Sequence, residues 1–363
     1  MMNITGLQNW RRLISNYLRR DIYHVTDQRE WVLYWIGHYV VEYLRQQHGV
    51  RASITPNVWN LHNQIIQFGD RYTYLHNDFR ALHASNKIFL TWYHGEPDDP
   101  NPDMQKLFEL LPQAEAYITK INVSCQRTKK VLLETGIPPE KLEIIPIGID
   151  LKTFMPPSRT ERETARRKFE IPPDAICIGS FQKDGQGWDG EGTEPKLVKG
   201  PDIFLETIAI LAQHYPNLLI FLTGPARGYV KQGLDKIGVR YIHHLLDDYR
   251  DITRCYPALD YYLISSRTEG GPLGLMESWA TGVPVVSTQM GMPADWIRHG
   301  ENGMLADVED AIGLADSLQT LIENADLRER CCHQALEDVK PLDWSCVADQ
   351  YYAMYKPYLK SIL

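Results

Sequence analysis

A chain of 363 residues with a formal charge of −8, of which 44% are hydrophobic and 23% charged, has the balance of a globular protein long enough for two cores. The acidic excess argues against a general nucleic-acid binder, and no apolar run approaches the ~18 residues that span a bilayer as a helix. The six cysteines, Cys125, Cys177, Cys255, Cys331, Cys332 and Cys346, form neither a C-x-x-C pair nor a regular framework, which reads as reduced thiols in a cytoplasmic protein.

Residues 6 to 20 carry Leu7, Trp10, Ile14, Tyr17 and Leu18 on one helical stripe, with Arg11, Arg12, Arg19 and Arg20 toward its flanks. The stripe reads as a helix packed on the protein body. Its second reading is peripheral contact with the inner face of a membrane, because arginines beside an apolar face suit anionic lipid. The same stretch lacks the apolar core and small-residue cleavage site of a signal peptide.

From Asp21 onward the pattern alternates strands and helices. Residues 22–27 (IYHVTD) predict the first strand, 31–47 a long helix closed by Gly49, 51–56 (RASITP) a second strand and 71–77 (RYTYLHN) a third. Further strands are predicted at 87–95, ending in a His-Gly turn, at 116–125 and at 142–150. A parallel α/β domain closing near Asp150 follows from that order. Residues 154–174 then form a proline-flanked connector with a charged helix inside it. A second α/β domain opens with the strand at 175–184 and continues through a helix from Pro201 and strands at 217–224 and 239–245. Two helices follow Asn302 and Gly303, and 343–363 is an amphipathic helix.

The stretch from Leu263 to Thr288 organises the second half. It reads as strand, glycine-rich turn, helix from near Pro272 to Gly282, and strand. A helix start behind Gly270 and Gly271 offers unpaired N–H groups and the positive end of the helix dipole, with no Cβ to obstruct a phosphate. Glu269 and Glu277 frame this turn with seven residues between them.

This E-x7-E pattern, in the context EGGPLGLMESWATGVPVV, resembles the nucleotide-sugar site of glycosyltransferase family 4, the retaining group 1 enzymes of GT-B fold. The resemblance implies an α/β protein of two Rossmann-like parallel-sheet domains facing a central cleft. Residues 1–152 would form the acceptor-side domain, 153–342 the nucleotide-sugar domain, and 343–363 a helix packing back on the first. It implies transfer of a sugar from a nucleotide-diphosphate sugar, UDP- or GDP-linked, to a glycan or lipid-linked acceptor, without metal or other cofactor and without nucleic acid. A nucleotide-sugar epimerase of the same fold, or a non-catalytic subunit binding sugar nucleotide or glycan, are the rival functions.

By the same resemblance Glu269 faces the transferred sugar, Glu277 accepts the ribose hydroxyls, and Lys199, in VKGPDIFLE, faces the donor phosphates. Backbone amides around Gly271, Leu273, Gly274 and Leu275 hold phosphate oxygens. Lys183 stands near where the family carries an arginine after the domain's first strand. His94, which ends a strand in TWYHGEPDD, resembles the family histidine at the reacting centre. The family's glycine pair after the first strand is missing, the loop here being Gln28, Arg29, Glu30 and Trp31. Glu96, Asp98, Asp99 and Asp103 read as a solvated loop rather than a cation site, and Ser124 and Arg127 fall near the acceptor.

Overall fold

The computed structural model describes residues 20–26, 32–187 and 191–360. The arginine-flanked stripe, apart from Arg20, and the loop from Gln28 to Trp31 lie outside the described residues. The chain divides into two compact units, one of residues 1–146 with 344–363 and one of residues 147–343.

The first unit runs β1 (Ile22–Val25), α1 (Val32–His48), β2 (Ala52–Thr55), β3 (Ile65–Phe68), α2 (Arg71–Leu75), β4 (Lys87–Trp92), α3 (Pro102–Ala114), β5 (Lys120–Val123), α4 (Gln126–Glu134) and β6 (Leu142–Ile144). All strand pairs are parallel, in the order β2-β1-β3-β4-β5-β6. Helix α1 buries Ile36, Val40, Val41 and Leu44 along one stripe, and Gly49, at φ +58°, ends it.

Residues 71–77 are not the expected third strand. Asp70 accepts from the Thr73 amide at 2.8 Å and starts a helix there, and Arg71, Tyr74 and Leu75 are buried at helical spacing. The third strand is β3, whose run IIQF is wholly buried despite its glutamine. Gln67 donates to Thr91 Oγ1 at 2.9 Å and Asn122 Oδ1 at 3.1 Å, and accepts from the Tyr355 hydroxyl at 2.8 Å. Such pairing is what allows an amide in a core, since an orphaned one would cost about 1–3 kcal/mol. Tyr355 ends the C-terminal helix α12 (Trp344–Tyr355), whose Tyr351 also accepts from Asn122 at 3.1 Å. Trp344 stacks on Tyr39 of α1 with centroids 5.5 Å apart. The C-terminal helix therefore completes the first unit, as expected.

In the second unit, α5 (Arg159–Lys168) starts with a capping box between Ser158 and Glu161. Its Arg166 reaches Asp260 at 3.0 Å, beside Arg162 on the same carboxylate. There follow β7 (Ile176–Phe181), α6 (Pro201–Ala212), β8 (Leu218–Thr223), α7 (Gly228–Ile237), β9 (Arg240–His244), β10 (Tyr261–Ile264), α8 (Leu273–Ala280), β11 (Val285–Thr288), α9 (Gly291–Trp296), β12 (Met304–Ala306), α10 (Ala311–Glu323) and α11 (Ala325–Asp338). The parallel sheet has the order β12-β11-β10-β7-β8-β9. The three-residue β12 has no counterpart in the pattern reading, being too short to show a period. In both sheets the order reverses beside the first strand, between β1 and β3 and between β7 and β10.

One buried group couples the first unit's stability to pH. His24 of β1 is 1% exposed. Its ring fills the space that Gly37 and Gly69 leave, where an added Cβ would lie 2.7 and 2.8 Å from it. Burial pushes its pKa down to about 4 from 6.5. Between those values the unfolded chain binds a proton that the native protein refuses, so stability falls on acidification by ~1.4 kcal/mol per pH unit. Urea unfolding at pH 7 and pH 5 should show wild type losing ~2 kcal/mol more than His24→Asn over that interval. Equal losses would contradict the assignment.

Candidate active site

Open parallel sheets bind ligands at the carboxyl ends of strands where their order reverses, and in the second unit that crevice lies between β7 and β10. The loop leaving β10 is built against the turn Leu197–Lys199 that precedes α6. Gly200 ends this turn at φ +59°, and a Cβ there would lie 1.9 Å from the Ser265 carbonyl oxygen. Only glycine permits that approach. Ser265 Oγ donates to Gly200 O at 2.8 Å, and the amides of Arg267 and Thr268 donate to Val198 O at 2.9 and 3.2 Å. The Arg267 guanidinium donates to Leu197 O at 2.8 Å and to both Asp202 oxygens at 2.8 and 2.7 Å, a bidentate geometry that fixes direction as well as distance.

These contacts carry Lys199 onto Glu269. Lys199 Nζ is ion-paired with Glu269 Oε1, and Ser266 Oγ donates to the same oxygen at 3.5 Å. The two side chains are 22% and 9% exposed, so the pair stands largely out of water, at the edge of the crevice.

Helix α8 begins behind Glu269 with Pro272 as N-cap and no side chain capping it. Leu273 and Gly274 form its first turn, and the Leu275 amide donates to Pro272 O at 3.1 Å, which removes that amide from the expected phosphate cradle. A Cβ on Gly274 would lie 2.4 Å from the Tyr262 ring, and one on Gly271 2.5 Å from Met292 Sδ. Both glycines thus serve close packing around the turn. Glu277, one helical turn further, is 1% exposed. Tyr249 Oη donates to its Oε1 and Tyr256 Oη to its Oε2, the latter at 2.6 Å. Burial raises the Glu277 pKa, against the pull of those two hydroxyls. Each carboxylate oxygen keeps a second lone pair for a further donor.

On the β7 side, Lys183 is half-buried, and burial lowers its pKa. The carbonyls of Ser180 and Gln182 accept from Arg227 Nη1 at 2.6 and 2.9 Å, and Arg227 Nε stands 2.9 Å from Asp184 Oδ1. Arg227 and Asp184, both buried, therefore hold the backbone on either side of Lys183. None of Arg227, Arg267, Tyr249 and Tyr256 was singled out from sequence, because their partners are carbonyls and carboxylates distant in the chain.

His94 belongs to the first unit, two residues past β4 and half-buried. In the acidic loop beside it Glu96 is paired with Arg127 at 2.7 Å. Among the described residues no group of three or more His, Cys, Asp or Glu is arranged to hold a metal ion, and no helix is long and apolar enough to cross a membrane.

Residues 195–338 match the family model described as glycosyl transferases group 1. The D-inositol 3-phosphate glycosyltransferase of Corynebacterium efficiens is 24% identical over 276 residues, covering 72% of this chain and 62% of the relative. That of Thermomonospora curvata is 26% identical over 282 residues, with 72% and 61% covered. The match thus spans less than two thirds of these relatives' length. Among solved structures, HepE of Anabaena in complex with UDP-glucose superposes with a TM-score of 0.73 at 16% identity, covering 93% of this chain and 100% of that one. Sucrose-phosphate synthase of Thermosynechococcus elongatus gives 0.66 at 17% identity, covering 92% and 80%. The likeness shows a shared fold, the GT-B architecture of two parallel-sheet domains with a returning C-terminal helix.

The turn at Gly200 yields a direct test of this geometry. Gly200→Ala must force the backbone out of its left-handed conformation or push Ser265 away, at a cost of at least about 1 kcal/mol. A lower urea midpoint for the variant is expected, and an unchanged midpoint would contradict the packing described.

Proposed function

We propose that the protein is a retaining glycosyltransferase that moves a sugar from a nucleotide-diphosphate sugar to a glycan or lipid-linked acceptor. The observation that carries this reading is the Lys199–Glu269 pair at the strand-order reversal, beside a helix start without a side-chain cap and with Glu277 on the same helix. A diphosphate leaving group gains negative charge as its bond to the anomeric carbon breaks. Lys199, Lys183 and the α8 dipole supply fixed positive potential there, where low exposure strengthens each interaction. Glu269, released from part of its hold on Lys199, faces the sugar, whose anomeric centre becomes cationic. Glu277, already oriented by Tyr249 and Tyr256, takes the ribose diol. His94 is assigned to the acceptor side of the reaction. UDP is favoured as the nucleotide because the similar HepE structure was solved with UDP-glucose.

The test is turnover of nucleotide sugar with and without EDTA. Lys199→Ala should lose about a hundredfold in kcat, equivalent to ~3 kcal/mol of leaving-group stabilisation. Lys199→Arg should recover part of this, since its planar fork presents the charge differently. Wild type should be indifferent to chelator. Full activity in Lys199→Ala, or wild-type activity abolished by EDTA and restored by a divalent ion, would overturn the assignment. Conversion of donor alone, without acceptor, would point to an epimerase instead.

A further inference from the structure

The second unit carries a cavity at the end of its sheet opposite the candidate active site. It measures about 670 Å³, within the range of about 300–1,000 Å³ usual for small-molecule sites. Its floor is formed where strands begin: Ile176 opens β7, Tyr261 opens β10, and Pro284 precedes β11. The crevice beside Lys199 and Glu269 lies where β7 and β10 end, and the six residues of β7 set those two ends of the sheet roughly 17 Å apart. One wall of the cavity is a stripe of α11. Arg328, Cys332 and Leu336 follow one another at intervals of four residues and share a helix face. Pro156 and Pro157 of the connector and Ile322 of α10 add apolar surface.

Of the charges that line this cavity, the Arg162–Asp260 pair is already satisfied. Asp260 accepts from Arg162, from Arg166 at 3.0 Å and from the Cys177 amide at 2.8 Å, and Arg162 Nη1 donates to the carbonyls of Pro257 and Leu259. Arg328, half-buried, is different. Its Nη1 donates to the carbonyls of Leu321 and Ile322 at 2.9 and 3.4 Å and to Tyr261 Oη at 3.3 Å, which anchors the guanidinium against the end of α10. Among the described residues no carboxylate lies within the 4.0 Å of an ion pair with Arg328, and its Nε and Nη2 have no hydrogen-bond partner. Those two nitrogens form one edge of the guanidinium, and parallel N–H groups on such an edge match the two oxygens of a carboxylate. The wall beside them is poorly hydrated, since burial pushes the Cys332 thiol up to about 11 against the pull of Arg328. Glu329, exposed and without an ion-pair partner among the described residues, also lines the cavity. It repels a doubly charged phosphate more than a singly charged carboxylate.

We propose that this cavity is a binding site for a carboxylic acid with an apolar body, whose carboxylate pairs with the Nε–Nη2 edge of Arg328 while its hydrocarbon part lies against Leu336, Ile322 and the two connector prolines. The assignment is independent of the glycosyltransferase reading.

The test is calorimetric titration of the full-length protein with octanoate, with acetate and 1-octanol carrying the charge and the chain separately. Octanoate should bind saturably at one site per chain, about tenfold or more tighter than either fragment. Saturating UDP should leave that binding in place, because the nucleotide crevice is at the other end of the sheet. Arg328→Lys keeps the charge without the fork and should weaken octanoate binding about tenfold. Cys332→Phe keeps the fork and fills the cavity, and should abolish binding, which separates occupancy of the cavity from any effect of Arg328 on the fold; circular dichroism checks that both variants are folded. No saturable binding of octanoate, equal binding of 1-octanol, displacement by UDP, or wild-type affinity in either folded variant would each overturn the proposal. Failure of the protein to bind UDP would count against the glycosyltransferase reading alone.

Discussion

The candidate site of the second unit is arranged around one ion pair, Lys199 with Glu269, and what is needed to keep it where it is. Two charges at 22% and 9% side-chain exposure have lost much of their hydration, and their mutual attraction compensates only if the geometry is held. The hold comes from backbone: a left-handed glycine that lets a turn touch the Ser265 carbonyl, two amides on the Val198 carbonyl, and Arg267 bridging to Asp202. A lysine alone at a helix start would be disfavoured by the dipole. Here the neighbouring carboxylate offsets that penalty and keeps the cation beside the crevice.

Much of this was legible in the chain. The alternation of apolar runs and helices announced two parallel α/β units, and the E-x7-E spacing located the strand, turn and helix that frame the site. What escaped was of two kinds. Elements of three to five residues, such as β12 and α2, hold too few positions for a period, and the aromatic alternation at Tyr72 and Tyr74 imitated a strand until Asp70 was seen to cap a helix. The other kind is satisfaction at a distance. Gln67 looks wrong for a buried strand until Thr91, Asn122 and Tyr355 are found around it. In the same way Glu277 meets Tyr249 and Tyr256, and Arg227 meets the carbonyls of Ser180 and Gln182. Partners 21 to 288 positions apart leave no local signature.

The two units treat polar groups differently at their strand-order reversals. In the second, charges are paired or hydrogen-bonded before any ligand arrives, so the site is preorganised and little reorganisation is asked of it during a reaction. In the first, Arg71 Nε, Thr26 Oγ1 and Ser124 Oγ are buried without a hydrogen-bond partner among the described residues.

The most direct measurement of the central claim is calorimetric titration of the full-length protein with UDP in the presence of EDTA, wild type beside Glu277→Ala. Saturable binding by wild type without any divalent ion, weakened about tenfold or more in the variant, is what a metal-free diphosphate cradle with a ribose-binding carboxylate predicts. Binding that requires a divalent ion, or an affinity that is the same in both proteins, would contradict it.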